Sequence, residues 1–260
     1  MRSNEEFGYP GFDENGVMRL TDQADRYPGM LQDIAVYRLR AGEPLELKSC
    51  EEEMAVLLIE GAARYAWDGR EREASRANPI DEPGWCLHVC AGTPVWILAR
   101  KDSEILVQKT QNAREFAPVF YTPENTRRET FGLGQFEGKA QRTVSTFFDV
   151  ENAPYSNMVM GEILIPQGGW SSYPPHEHPQ PEVYYYRFRH PNGFGACFLS
   201  DSVYKIQDRS FAAVPGGKYH PQVNAPGYAM MYVWMIRHFD GYPWTERNFQ
   251  PEHAWLLENG

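Results

Sequence analysis

Hydrophobic positions along the chain fall in short runs, cut by Gly, Pro and charged residues, and many of the runs alternate apolar with polar side chains. That rhythm predicts strands rather than helices. IAVYRLRAG, residues 34–42, reads as a strand entering a turn. AVLLIEGAARYAWDG, residues 55–69, reads as two strands around Gly61, with WDGR as a tight hairpin turn. Residues 84–100 read as a strand pair broken at Ala91-Gly92, and 103–110 as one more strand. Residues 1 to about 30 read as irregular, and 117–143, rich in Pro, Gly and mixed charge, as a polar linker. Strands resume at 144–148, 158–170, 182–188 and 196–204, then as strand, turn and strand over 210–223, and again at 229–237. The tail from Phe239 is irregular, and its aromatics predict that it folds back over the strands.

The two halves echo each other. Val89-Cys90-Ala91-Gly92 matches Val214-Pro215-Gly216-Gly217 in pattern, and counting on from these turns places Val95 where His220 stands. The expected architecture is therefore all-β, with two barrels in one chain. Residues 1–120 form a barrel lacking metal ligands, and 121–260 form a barrel carrying a site and a wrapping tail.

Composition sharpens this picture. Gly (22) and Pro (20) supply the turns that many short strands need. A net charge of −10, with no Lys/Arg-rich block, argues against nucleic acid as a partner and leaves small anionic substrates open. No apolar run approaches membrane-spanning length, and MRSNEEFGYPGF has no apolar core of a leader. Four cysteines in this length read as reduced thiols, so a cytoplasmic protein is expected. Cys86, His88 and Cys90 offer a zinc-like spacing, but WCLHVC reads better as a core strand. Barrel edges and an aromatic-rich surface predict a homo-oligomer.

PPHEHPQPEVYYYRF, residues 174–188, concentrates the chemistry. On an extended segment His176 and His178 point the same way. A turn through Pro-Gln-Pro brings Glu182 back to them, and His220, after PGGKY, is the natural fourth ligand. Three imidazoles and a carboxylate suit a divalent ion, with zinc first and Mn, Fe or Ni as alternatives. Tyr184 and Tyr186 share the Glu182 face and are candidate catalytic residues of the pocket wall, or plain core. Glu162, among apolar neighbours, is the candidate base. Lys218 is a candidate for the substrate's charge, and Arg187, Gln222, Ser171 and Ser172 are further candidates. His88 reads as core, His190 as a solvent turn, His238 as rim and His253 as a structural residue of the tail.

The full form, H-x-H-x3-E followed by P-x-G-x2-H-x3-N through Pro215, Gly217, His220 and Asn224, resembles the two-part signature of the cupin barrel. GGWSSYPPHEH, EVYYYRF, PNGFG, VPGGKYHP, APGY and PEHAW, in that order, are similar to the 5-deoxy-glucuronate isomerase family of inositol catabolism. The likeness runs over about 142–257, with a looser echo over about 30–110. It implies a bicupin with metal ligands at His176, His178, Glu182 and His220. It also implies an aldose–ketose isomerisation of 5-deoxy-D-glucuronate to 2-deoxy-5-keto-D-gluconate, through a cis-enediolate or a hydride shift. The chain departs from the family in three places. Only Pro-Gln-Pro separates HEH from EVYYYRF, SDSVYKIQD replaces an acidic region, and GKYH stands for R-G-Y-H. These departures flank the pocket and keep open a related uronate or keto-sugar. An Fe- or Mn-dependent oxygenase or epimerase, and a non-catalytic sugar-binding bicupin, stand as alternatives of other classes.

Overall fold

The computed structural model describes residues 6–259; the first five residues of the stretch read as irregular lie outside the described residues. The strands of the first half form a nine-stranded sheet. In the second half a seven-stranded antiparallel sheet runs in the order Phe7–Gly8, Phe211–Val214, Glu182–Phe188, Met230–Arg237, Met158–Ile165, Arg142–Phe148, Arg127–Phe131. A four-stranded sheet, in the order Trp170–Ser171, Gln222–Asn224, Phe194–Leu199, Ser202–Gln207, accompanies it.

Strand alternation sorts the apolar side chains into three clusters. One lies within the first half, around Met54, Val56, Leu58, Tyr65 and Val107. One lies within the second, around Val159, Tyr184, Tyr186, Tyr232 and Ile236. The third joins the halves, mixing Leu57, Cys86 and Leu106 with Met158, Met160, Tyr185 and Val233. Successive residues of EVYYYRF thus serve different cores. Tyr184 and Tyr186 face one way and Val183 and Tyr185 the other, as the two-stripe reading of the tyrosines requires.

Buried polar contacts stitch the same seam. Arg187 bridges Glu104 and Glu60 of the first half, each at 2.9 Å. Glu53 accepts from Ser156 Oγ at 3.0 Å and from the Asn157 backbone N–H at 2.6 Å. It also meets His88 Nε2 at 2.9 Å. Cys86 lies against Met160, Sγ to Sδ 3.7 Å, so WCLHVC is a core strand as expected. All four cysteines are free. Among the described residues no helix is long and apolar enough to cross a membrane.

Four elements differ from their expected form. Glu52–Trp67 is one long strand, and Gly61 marks an irregularity in its pairing rather than a break. A Cβ at Gly61 would lie 2.5 Å from the Asp102 carbonyl, with φ +110°, so only glycine passes there. Residues 196–204 are not one strand but a hairpin, turning at Ser200 and Asp201. Val17–Thr21 is a strand inside the stretch read as irregular. The expected linker holds two strands, Val119–Tyr121 paired to the first half and Arg127–Phe131 paired to the second. The expected hairpin turn at WDGR is present, with φ of 44° and 71° at Asp68 and Gly69, matching the twist of the flanking strands.

Candidate metal centre

The inner face of the seven-stranded sheet carries a cavity of about 130 Å³. Its floor follows from register. Arg127, Glu129 and Phe131 alternate along one strand, and Arg142, Val144 and Thr146 along the next. Ile163 and Trp234 continue the same face, and Glu182 and Tyr184 complete it. Gly161, opposite Trp234, leaves space for the indole, because a Cβ there would lie 2.5 Å from Trp234 Nε1.

Among the described residues, His178, Glu182 and His220 form the one group close enough to share an ion, their ligand atoms lying within 4.8 Å of one another. Glu182 Oε2 is 3.1 Å from His178 Nε2 and 3.5 Å from His220 Nε2. His176 lines the same cavity, its ring centroid 5.1 Å from that of His220, but it stands outside the tight group. The three imidazoles share one device. Each places Nδ1 on a backbone carbonyl: His176 on Pro174 at 3.0 Å, His178 on Gln180 at 2.9 Å, and His220 on Lys218 at 2.7 Å. A carbonyl only accepts, so Nδ1 carries the proton and Nε2 keeps its lone pair. This is the arrangement a metal-ligating histidine uses, and the donor set fits a divalent ion.

Burial disfavours the charged forms of His176 and His220. It pushes His176 well below the usual histidine range, with the neighbouring His220 adding to the effect. It pushes His220 down as well, against the pull of the Glu182 charge. Burial alone would raise the Glu182 carboxyl, but the close approach of His178, His220 and the Tyr184 hydroxyl holds it below its ordinary value.

Tyr184 Oη donates to Glu182 Oε2 at 2.9 Å, and burial and the Glu182 charge push its phenol far up. Tyr186 is not on the cavity wall. Its Oη donates to Gln222 Oε1 at 2.6 Å, and Gln222 Nε2 donates to the His220 carbonyl at 2.6 Å. Tyr186 and Gln222 therefore position the His220 segment. Lys218 contributes its carbonyl to His220, while its ammonium turns outward to Glu6 at 3.4 Å. Glu162 faces the seam, where Arg76 holds both its oxygens at 2.6 and 2.9 Å. A carboxylate bound in that way has no free oxygen toward the cavity, so the structure places the expected base elsewhere. Arg187 is likewise committed to the seam. Ser171 and Ser172 line the cavity, with Ser171 Oγ 2.7 Å from Tyr232 Oη. His190 is exposed and His238 buried.

Two features hold the ligand loop. Gly217 N–H donates to the His178 carbonyl at 2.9 Å, and His176–Glu177 pairs with Asn248–Phe249 of the tail. The tail brings Trp244 edge-on to His178 and Trp234, and Arg247 onto the Trp244 ring at 5.3 Å. The fold-back of the tail was legible in the sequence. The cavity roles of Arg142, Trp234, Trp244 and Arg247 were not, and only the alternation of RRETF and of the following strand could have pointed to this wall.

The model of the KduI/IolB family matches residues 10–256. The chain belongs to the KduI/IolB family. Within it, the chain is 24% identical to the 5-deoxy-glucuronate isomerase of Geobacillus thermodenitrificans, covering 95% of this chain and 93% of that protein. It is 25% identical to the enzyme of the same name from Lacticaseibacillus casei, covering 94% of each. An IolB-like protein from Salmonella typhimurium superposes with a TM-score of 0.87 at 22% identity, over 97% of this chain and 99% of that one. The oxalate decarboxylase of Lactobacillus farciminis gives a TM-score of 0.66 at 14% identity, over 97% and 88%. These structures show the fold: this KduI/IolB member shares their all-β architecture.

Proposed function

We propose that the chain is a metal-dependent sugar-acid isomerase, an intramolecular oxidoreductase that converts 5-deoxy-D-glucuronate to 2-deoxy-5-keto-D-gluconate in the cytoplasm. The observation that carries this reading is the set of three Nδ1-anchored imidazoles around Glu182, in a chain whose full-length relatives bear the name of that isomerase. His176, His178, Glu182 and His220 would hold the ion, zinc first among divalent metals. When bound, the ion supplies Lewis-acid polarisation of neighbouring carbonyl and hydroxyl oxygens.

The remaining chemistry belongs to the chain. Aldose–ketose exchange moves a proton from C2 to C1 and another between the two oxygens. Tyr184 Oη keeps its proton at neutral pH and is placed to donate it toward an oxygen beside Glu182. Trp234 and Trp244 wall the cavity against water. Tyr186, through Gln222, holds His220 in place. The division into two barrels near residue 120 is part of the same proposal. It is supported by the strands 119–121 and 127–131, which pair to opposite halves.

Incubation of the metal-loaded protein with 5-deoxy-D-glucuronate and with 4-deoxy-5-keto-hexuronate in deuterated water tests the reading. NMR should show loss of the aldehyde of the first compound, with deuterium entering at C1 if an enediolate forms. Turnover of the second alone would move the substrate to a related uronate, which the short Pro-Gln-Pro bridge allows. No turnover of either would refute the isomerase.

A further inference from the structure

We propose that Arg142 and Arg247 form the carboxylate-binding end of the cavity and set its preference for acidic sugars. The proposal rests on the sugar-isomerase reading for its substrate class, but it is tested separately. Buried arginines elsewhere in the chain are neutralised: Arg76 by Glu162, and Arg187 by Glu60, Glu104 and Asp208. Arg127, at the cavity wall, is held by Asp149 and by Glu151 at 2.7 Å. Arg142 and Arg247 differ. Among the described residues neither has a carboxylate within ion-pair distance. Arg142 donates from Nη1 to the Ala140 carbonyl at 2.9 Å and lies over Phe131 at 5.8 Å. Arg247 rests on Trp244. Both line the cavity that holds the imidazoles and Glu182.

Arg142, half-buried, and Arg247, exposed at the rim, are two guanidinium groups without a carboxylate partner on one cavity, and together they offer an anion site in a chain carrying −10. Burial of the Arg142 guanidinium, with a smaller contribution from the Arg247 charge, pushes its pKa below the usual arginine value. A second observation points the same way. The buried indole N–H groups of Trp234 and Trp244, both on the cavity wall, have no hydrogen-bond partner among the described residues. These two guanidinium and two indole groups are donors, and they fit an acceptor-rich monoanion such as a carboxylate flanked by hydroxyls. Glu129, on the same wall and without an ion pair, opposes a more highly charged ligand. The tail strand Asn248–Phe249, paired to His176–Glu177, fixes Arg247 relative to the ligand loop.

Titration of the metal-loaded full chain with D-glucuronate and with D-glucose, followed by tryptophan fluorescence, tests the clamp. Wild type should bind D-glucuronate more tightly. Arg142→Gln and Arg247→Gln should each weaken D-glucuronate by about 10- to 100-fold, leaving D-glucose affinity and metal content unchanged. Arg142→Lys should recover part of the loss. If Arg142→Gln does not fold, the exposed Arg247→Gln decides. An arginine-dependent preference in a protein that turns over no uronate would leave the clamp standing while the isomerase reading fell. Equal wild-type affinity for the two sugars, or variants with undiminished D-glucuronate binding, would overturn the clamp.

Discussion

A Cβ added at Gly216 would lie 1.9 Å from the Pro179 carbonyl oxygen and 2.6 Å from its carbon. Carbon-to-oxygen contacts settle at roughly 3.3 Å, so the PGG turn and the HEHPQP loop would have to part by more than about 1 Å. Neither side is a flexible side chain; both are backbone. The adjoining Gly217 N–H to His178 O bond, 2.9 Å long, would open with them. The loop carries His178 and the turn leads into His220, so the displacement falls directly on the spacing of the site. Gly216→Ala should cost about 1–3 kcal/mol of stability, the range for overpacking. It should also weaken metal binding by about 10- to 100-fold, as loss of ligand positioning does. Gly217→Ala is the control. A Cβ there meets nothing within 4 Å, and the penalty is confined to its φ of +79°, about 1 kcal/mol. Urea unfolding of the apo chains and calorimetric titration with zinc give both quantities. A Gly216→Ala protein with wild-type zinc affinity would refute the idea that this backbone contact sets the spacing.

Four further outcomes follow from the geometry. His178→Ala should abolish metal retention through desalting, measured by plasma emission, and a variant that keeps its metal would break the ligand assignment. Glu162→Gln should lower stability by about 3–5 kcal/mol, because Arg76 is left buried without its partner, while D-glucuronate binding stays unchanged in the protein that folds. Glu129→Gln should tighten D-glucuronate binding several-fold by removing a like charge from the wall. Burial, helped by the Arg237 charge, pushes His238 down to about 4, and its Nδ1 already accepts the Trp244 backbone N–H at 2.9 Å. The folded state therefore stays neutral while the unfolded chain takes up a proton below about pH 6.5. Stability contributed by this group is full above that pH and falls as the pH drops toward 4. By pH 5 the loss is roughly 2 kcal/mol, and it should be absent from His238→Gln in urea titrations at pH 7.5 and 5.

What could be read beforehand follows the physics of each signal. Apolar and aromatic runs are local, so EVYYYRF and AMMYVWMIR announced themselves as strands, and H-x-H-x3-E carried its own spacing. Pairing partners are not local. RRETF sets three charged residues before Thr and Phe, which looks like a solvated linker until its neighbour Arg142–Phe148 turns one of its faces into a cavity wall. Glu162 shows the same limit. Apolar sequence neighbours marked it as buried, but which of the two faces it takes, and that Arg76 waits there, depend on residues of the other half. Lys218 was placed near His220 by counting, yet the group that reaches the imidazole is its carbonyl.

The strand Phe7–Gly8 pairs with Phe211 and Ala212, and Asn248–Phe249 pairs with the ligand loop. During synthesis the opening segment therefore has no partner until most of the chain has left the ribosome. The loop bearing His176 and His178 gains its pairing strand only after Asn248–Phe249 has been made. Contacts this distant along the chain close slowly. The first half can assemble early on its own sheet, whereas ion capture waits for Asn248–Phe249. A chain truncated before the tail would retain most of its core yet hold its imidazoles in an unbraced loop.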